Sequence, residues 1–150
     1  MINALVGLFL FAISFFFSNV ALAVPASSNN LVQQPPIEVT LSLGNKTNEL
    51  KFFPNTLQFV AGKRYKLVLE NPSPQKHYFT AKDFADAIWT QKVEAGNVEV
   101  KGNIRELELK PAATAEWVFV AMKQGNYNLR CPISGHTEAG MTGAIAIVAQ

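Results

Sequence analysis

The sequence predicts an all-β fold, an antiparallel sandwich or barrel, and three observations carry that prediction. Apolar and polar residues alternate with a period of two over several short stretches between residues 37 and 149. Turn formers punctuate those stretches at Gly62, Asn71-Pro72, Gly102, Pro111 and Gly125. Over 150 residues the chain is 49% hydrophobic and 16% charged, a globular balance that suits one domain rather than two.

Taken in order, residues 1–23, MINALVGLFLFAISFFFSNVALA, carry no charged side chain. The apolar core followed by Ala21-Leu22-Ala23 reads as a secretory signal peptide cut after Ala23. The stretch also reaches the roughly 20 residues that span a bilayer, so an uncleaved membrane anchor is the alternative reading. Either one puts the remainder outside the cytoplasm. Residues 24–36, VPASSNNLVQQPP, are polar and proline-rich and read as a flexible linker. The first charged residue is Glu38, and the folded domain is expected over 37–150.

Within that domain IEVTLSL (37–43) alternates, and RYKLVLEN (64–71) sets Tyr65, Leu67 and Leu69 on one face. IRELELK (104–110) does the same with Ile104, Leu107 and Leu109 after a slip of one residue. TAEWVFVA (114–121) puts Ala115, Trp117, Phe119 and Ala121 on one face, and NYNLRC (126–131) and GAIAIVA (143–149) complete the strands. DFADAIWTQ (83–91) has Phe84, Ala87, Ile88 and Gln91 at helical spacing, which predicts a short helix bridging two strands, with Trp89 packed under it. EAGNVEVKG (94–102) reads as a loop.

Net charge is +2 with no cationic run, so nucleic acid is not an expected partner. Lys46, Lys51, Lys63, Lys66 and Lys76 read as a solvated face. A single cysteine excludes a disulfide within the chain, and a four-cysteine zinc or iron–sulfur site built from one chain. Tyr65, Trp117, Phe119 and Tyr127 read as core.

That lone cysteine lies in CPISGHTEAGM, residues 131–141. Cys131, His136 and Met141 offer a thiolate, an imidazole and a thioether at even spacing. The other histidine of the chain, His77, stands in KHYFTA at the start of a predicted strand. Two histidines and a cysteine, with a weak methionine, are a donor set that suits copper. Each residue alone has a blander reading, as a buried apolar thiol, a hydrogen-bonded histidine or a core methionine. Their co-occurrence in this order is what favours a metal.

The spacing Cys-x4-His-x4-Met, with Gly135 before His136 and Ala139-Gly140 before Met141, resembles the small blue copper proteins, the cupredoxins, and among them auracyanins and azurins. Phe53-Pro54, Gly62, Asn71, Thr114, Phe119, Gly125 and Tyr127 extend the likeness across residues 37–148. The resemblance implies a Greek-key β-sandwich and one type 1 copper ion, with His77, Cys131 and His136 equatorial and Met141 axial. It implies a monomeric, non-enzymatic carrier that moves single electrons between redox proteins, such as a cytochrome or a membrane electron-transfer complex, in a periplasm or thylakoid lumen. His136 would be the electron exit, rimmed by Pro132, Ile133, Ala139 and Gly140. The chain departs from the family in two places. His77 is flanked by Lys76 and Tyr78, where many members have an asparagine, and Pro132 directly follows Cys131. A copper storage or delivery protein on the same fold is the alternative function, although runs of Met and His are absent. Multicopper oxidases and copper nitrite reductases need more histidines than the two present.

Overall fold

The computed structural model describes residues 30–150. The expected signal peptide or anchor and the first part of the linker lie outside the described residues. Eleven strands and one turn of helix follow one another as β1 (Ile37–Leu43), β2 (Phe52–Phe53), β3 (Thr56–Val60), β4 (Arg64–Glu70), β5 (His77–Thr80), α1 (Lys82–Ala85), β6 (Ile88–Ala95), β7 (Val98–Val100), β8 (Glu106–Leu109), β9 (Thr114–Ala121), β10 (Gly125–Arg130) and β11 (Thr142–Val148). They form two sheets, one ordered β2-β1-β4-β9-β6-β7 and the other β3-β11-β10-β5-β8.

The two faces predicted from alternation form the core. Tyr65, Leu67 and Leu69 lie opposite Phe119, Trp117 and Ala115 in the β4–β9 register, and all six are buried. Above them Phe59, Phe84 and Phe119 meet edge to face or stacked, with centroids 5.2 to 5.6 Å apart. Such rings each contribute about 2 kcal/mol on burial. Strand β9 is central in its sheet, so its outer-face residues Val118 and Val120 are buried as well.

Several expectations are corrected. The sandwich is mixed rather than antiparallel, because β1 runs parallel to β4 and β3 parallel to β11. Strands β2 and β3 add to the expected set, and in β3 Leu57 and Phe59 alternate as a half-buried strand should. The helix over 83–91 shrinks to α1. Phe84, Ala85 and Ala87 are buried as a helix turn would bury them, but at Ile88 the chain extends and pairs with β9. The β-branched and aromatic run Ile88-Trp89-Thr90 outweighs a helical spacing supported by only four residues. A bulge between Thr90 and Lys92 hides the strand's own alternation. Trp89 therefore does not pack under a helix, and it is 47% exposed on the outer face. The expected loop 94–102 is instead the end of β6, a turn and β7. Of the five lysines, Lys46, Lys51 and Lys76 are exposed and Lys63 and Lys66 half-buried, and Lys51, Lys66 and Lys76 pair at the surface with Glu49, Glu38 and Glu108.

Two features orient the molecule. The connections Asn71–Lys76 and Cys131–Met141 lie together at one pole. Residues Ile37 and Val148 lie at the other, at the far ends of β1 and β11. Before β1, a 3-10 turn at Leu31–Gln33 is capped by the Asn30 side chain. The chain is tied to the sheet where Arg64 donates to the Gln34 carbonyl oxygen at 2.7 Å and to Gln91 Oε1 at 3.0 Å. Among the described residues no helix is long and apolar enough to cross a membrane.

Candidate metal centre

His77 is delivered by a tight polar turn. Asn71, itself buried, donates through Nδ2 to the carbonyl oxygens of Gln75 and Leu109, and its Oδ1 accepts from the Ser73 amide. That turn reverses the chain after β4 and starts β5 at His77, whose side chain is fully buried. On the other side, β10 ends at Arg130 and Cys131 follows directly. The 131–141 loop is closed by its own backbone: the His136 amide donates to the Ile133 carbonyl, that of Met141 to the His136 carbonyl, and that of Cys131 to the Met141 carbonyl. Thr137 Oγ1 adds a bond to the Cys131 carbonyl at 2.8 Å. Gly135 and Gly140 take positive φ there, as the turn requires. Gly143 has another role, because a Cβ would lie 2.6 Å from the Asn55 carbonyl oxygen.

The structure brings His77, Cys131 and His136 together. One donor atom from each lies within 4.8 Å of the others. Cys131 Sγ is 3.4 Å from His136 Nδ1, and the imidazole centroids are 5.1 Å apart. Met141 is fully buried at the end of the same loop, its backbone bonded to both Cys131 and His136. His136 is 6% exposed, against none for His77, with Pro132, Ala139 and Gly140 exposed around it and Ile133 half-buried.

The electrostatics fit a metal. Burial, reinforced by the neighbouring His136, pushes the His77 pKa down to about 4, so the imidazole is neutral at ordinary pH and able to coordinate. Both its ring nitrogens are buried without a hydrogen-bond partner, and among the described residues they are the only buried side-chain nitrogen or oxygen atoms so placed. An orphaned buried polar atom costs about 1–3 kcal/mol. A metal ion held by one of those nitrogens would relieve that atom's cost, and the thiol and second imidazole beside it complete a soft-to-borderline donor set.

Sequence reasoning missed two contributors. The Tyr78 amide donates to Cys131 Sγ at 3.4 Å, a backbone contact that no side-chain pattern reveals. Gly44, at φ +75°, lets the β1–β2 connection close over the histidine, since a Cβ there would meet His77 Nε2 and Ser73 Cβ at 3.0 Å. A lone glycine after an alternating strand was the one available signal.

No protein-family model matches the chain, and no curated relative matches it by sequence. Solved structures do match. A dithionite-reduced auracyanin from the photosynthetic bacterium Roseiflexus castenholzii is similar over 77% of this chain and 99% of its own, at TM-score 0.54 and 15% identity. Auracyanin B is similar over 79% of this chain and 94% of its own, at TM-score 0.52 and 21% identity. A copper nitrite reductase from Nitrosomonas europaea is similar over 81% of this chain but 52% of its own, at TM-score 0.54 and 11% identity. At such identities the likeness is one of architecture. With two sheets closed over an aromatic core, and one pole formed by the 71–76 and 131–141 connections, the chain has the cupredoxin fold.

Proposed function

We propose that this domain is a type 1 copper protein that passes single electrons between redox partners outside the cytoplasm. His77, Cys131 and His136 hold the ion and Met141 completes the set. The observation that carries the reading is the fully buried His77, with two unpartnered ring nitrogens, beside the only thiol of the chain. Bound there, copper supplies one-electron chemistry between Cu(I) and Cu(II).

The residues of the chain do the rest. The closed loop and the Asn71 turn hold the donors in place before any metal arrives, so little rearrangement accompanies a change of charge. Burial of Cys131 and His77 excludes water and competing thiols. The slight exposure of His136, within the apolar rim of Pro132, Ile133 and Ala139, gives electrons a short way out and offers partners a weak docking surface. Both histidines of the chain are used by this one site, which leaves none for a second, catalytic copper centre. The N-terminal apolar segment favours an exported protein, in which burial and a bound metal would protect the lone thiol of Cys131 from oxidation.

The test is the visible absorption of the mature protein after loading with Cu(II). An intense thiolate-to-copper band in the red, lost in Cys131→Ala, is the expected result. Copper bound without that band would favour storage or delivery instead, and no binding would remove copper from the account.

A further inference from the structure

Strand β5 carries two groups that the site needs, the His77 imidazole and the Tyr78 amide that donates to Cys131 Sγ. Yet β5 is joined to β10, the strand that leads into Cys131, through a single register pair, Thr80 with Arg130. It is joined to the edge strand β8 through four: His77 with Leu109, Tyr78 with Glu108, Phe79 with Leu107 and Thr80 with Glu106. The position of β5 is therefore set mainly from β8, on the side away from the metal loop.

Two side-chain bonds reinforce that strand pair. Thr80 Oγ1 donates to Glu106 Oε2 at 2.8 Å, and the Tyr78 phenol donates to the Glu108 carboxylate. Glu108 also receives Lys76 Nζ at 3.2 Å, and the same ammonium lies 5.7 Å from the centre of the Tyr78 ring. The two neighbours of His77 in the chain are thus fastened to one carboxylate on the next strand. One of them, Tyr78, is the residue whose amide reaches the sulfur.

We propose that Lys76, Tyr78 and Glu108 are positioning residues for the metal site: the phenol–carboxylate bond, braced by Lys76, fixes the Tyr78 backbone so that its N–H stays on the Cys131 sulfur. The proposal rests on the copper reading above and adds to it which side chains tune the site. A hydrogen bond to a ligand thiolate draws electron density off the sulfur and favours the reduced metal. Releasing the clamp lowers the reduction potential and moves the sulfur-to-copper absorption to longer wavelength. A rung that only stabilises the sheet leaves both unchanged.

Three variants of the full chain, with Thr80→Val as control, separate these outcomes. Tyr78→Phe and Glu108→Ala should lower the potential and shift the band to longer wavelength. Glu108→Gln, which keeps an acceptor for the phenol, should shift them less. Thr80→Val removes the neighbouring rung, and should lower stability while leaving potential and band at their wild-type values. In the metal-free protein, hydrogen exchange at the Tyr78 amide should be faster in Tyr78→Phe and Glu108→Ala than in wild type. Wild-type potential, spectrum and Tyr78 exchange in those two variants would overturn the proposal, as would an equal shift in Thr80→Val. If Tyr78→Phe does not fold, Glu108→Ala on the edge strand carries the same comparison. A wild-type protein without the band overturns the copper reading instead, and the exchange measurement still decides the clamp.

Discussion

The loop from Cys131 to Met141 and the ribbon of β6 and β7 are of similar length and opposite in construction. The loop is irregular, yet it buries three chemically active side chains and bonds its backbone back on itself. The ribbon is a ladder of paired strands, yet it leaves Trp89, Val98 and Val100 exposed at 47%, 60% and 42%, with Lys92, Glu94, Glu99 and Lys101 paired among themselves. Loops usually lie open over a scaffold, and strands usually supply the core. Here irregular backbone goes where chemistry must be enclosed. Within the ribbon burial is limited to Val93, which pairs with Trp117 of β9.

Breaking each region in turn sharpens the contrast. Cys131→Ala should remove the thiolate band altogether and nearly all Cu(II) affinity, read by absorption and metal titration. At the root of the ribbon, Phe84 touches Phe59, Trp117, Phe119 and Tyr127. Phe84→Ala should cost about 3–5 kcal/mol in urea unfolding, the usual penalty for emptying an aromatic site. A ribbon that frays alone would cost far less.

A pH series probes the enclosure of the loop pole in metal-free protein. His77 titrates at about 4 when folded and near its ordinary value of 6.5 when unfolded. Between those values the unfolded chain holds the extra proton, so stability should fall as pH is lowered from 6.5 to about 4, with no further loss from this group below that. The effect is at most about 3 kcal/mol and should be absent in His77→Phe. Gly44→Ala forces a side chain into a positive-φ position against His77, and should cost about 2 kcal/mol and weaken copper binding, read by unfolding and titration. Trp89→Thr, on the exposed face, should change stability by less than about 0.5 kcal/mol; a larger loss would mean the ribbon is packed after all.

The metal loop is legible in the sequence because its signal is chemical. Cysteine, histidine and methionine in that order form a donor set that suits copper, and the structure gathers Cys131 and His136 with the distant His77. Strands β4 and β9 are legible because alternation holds along their whole length. The 83–102 segment misleads because two periods compete there. Phe84 and Ala87 satisfy a helix, and the bulge at Thr90–Lys92 breaks the strand pattern that would contradict it. The parallel pairings of β1 with β4 and β3 with β11 are hidden in a different way. Alternation reports which face a residue takes and carries no information on the direction of its neighbour. The Tyr78 amide on the sulfur is illegible because it is backbone.

Both ends of the folded region leave from one pole. Strand β1 begins at Ile37 and β11 finishes at Val148, each about 20 Å of extended chain from the metal pole. A fusion partner, an affinity tag or a linker to a solid support can therefore be joined before residue 30 or after residue 150 without approaching His136. Molecules coupled to a surface through either end would stand with the His77, Cys131 and His136 cluster outward, at a distance from that surface. The same chain coupled instead through its exposed Lys76 would lie with the metal pole against the surface.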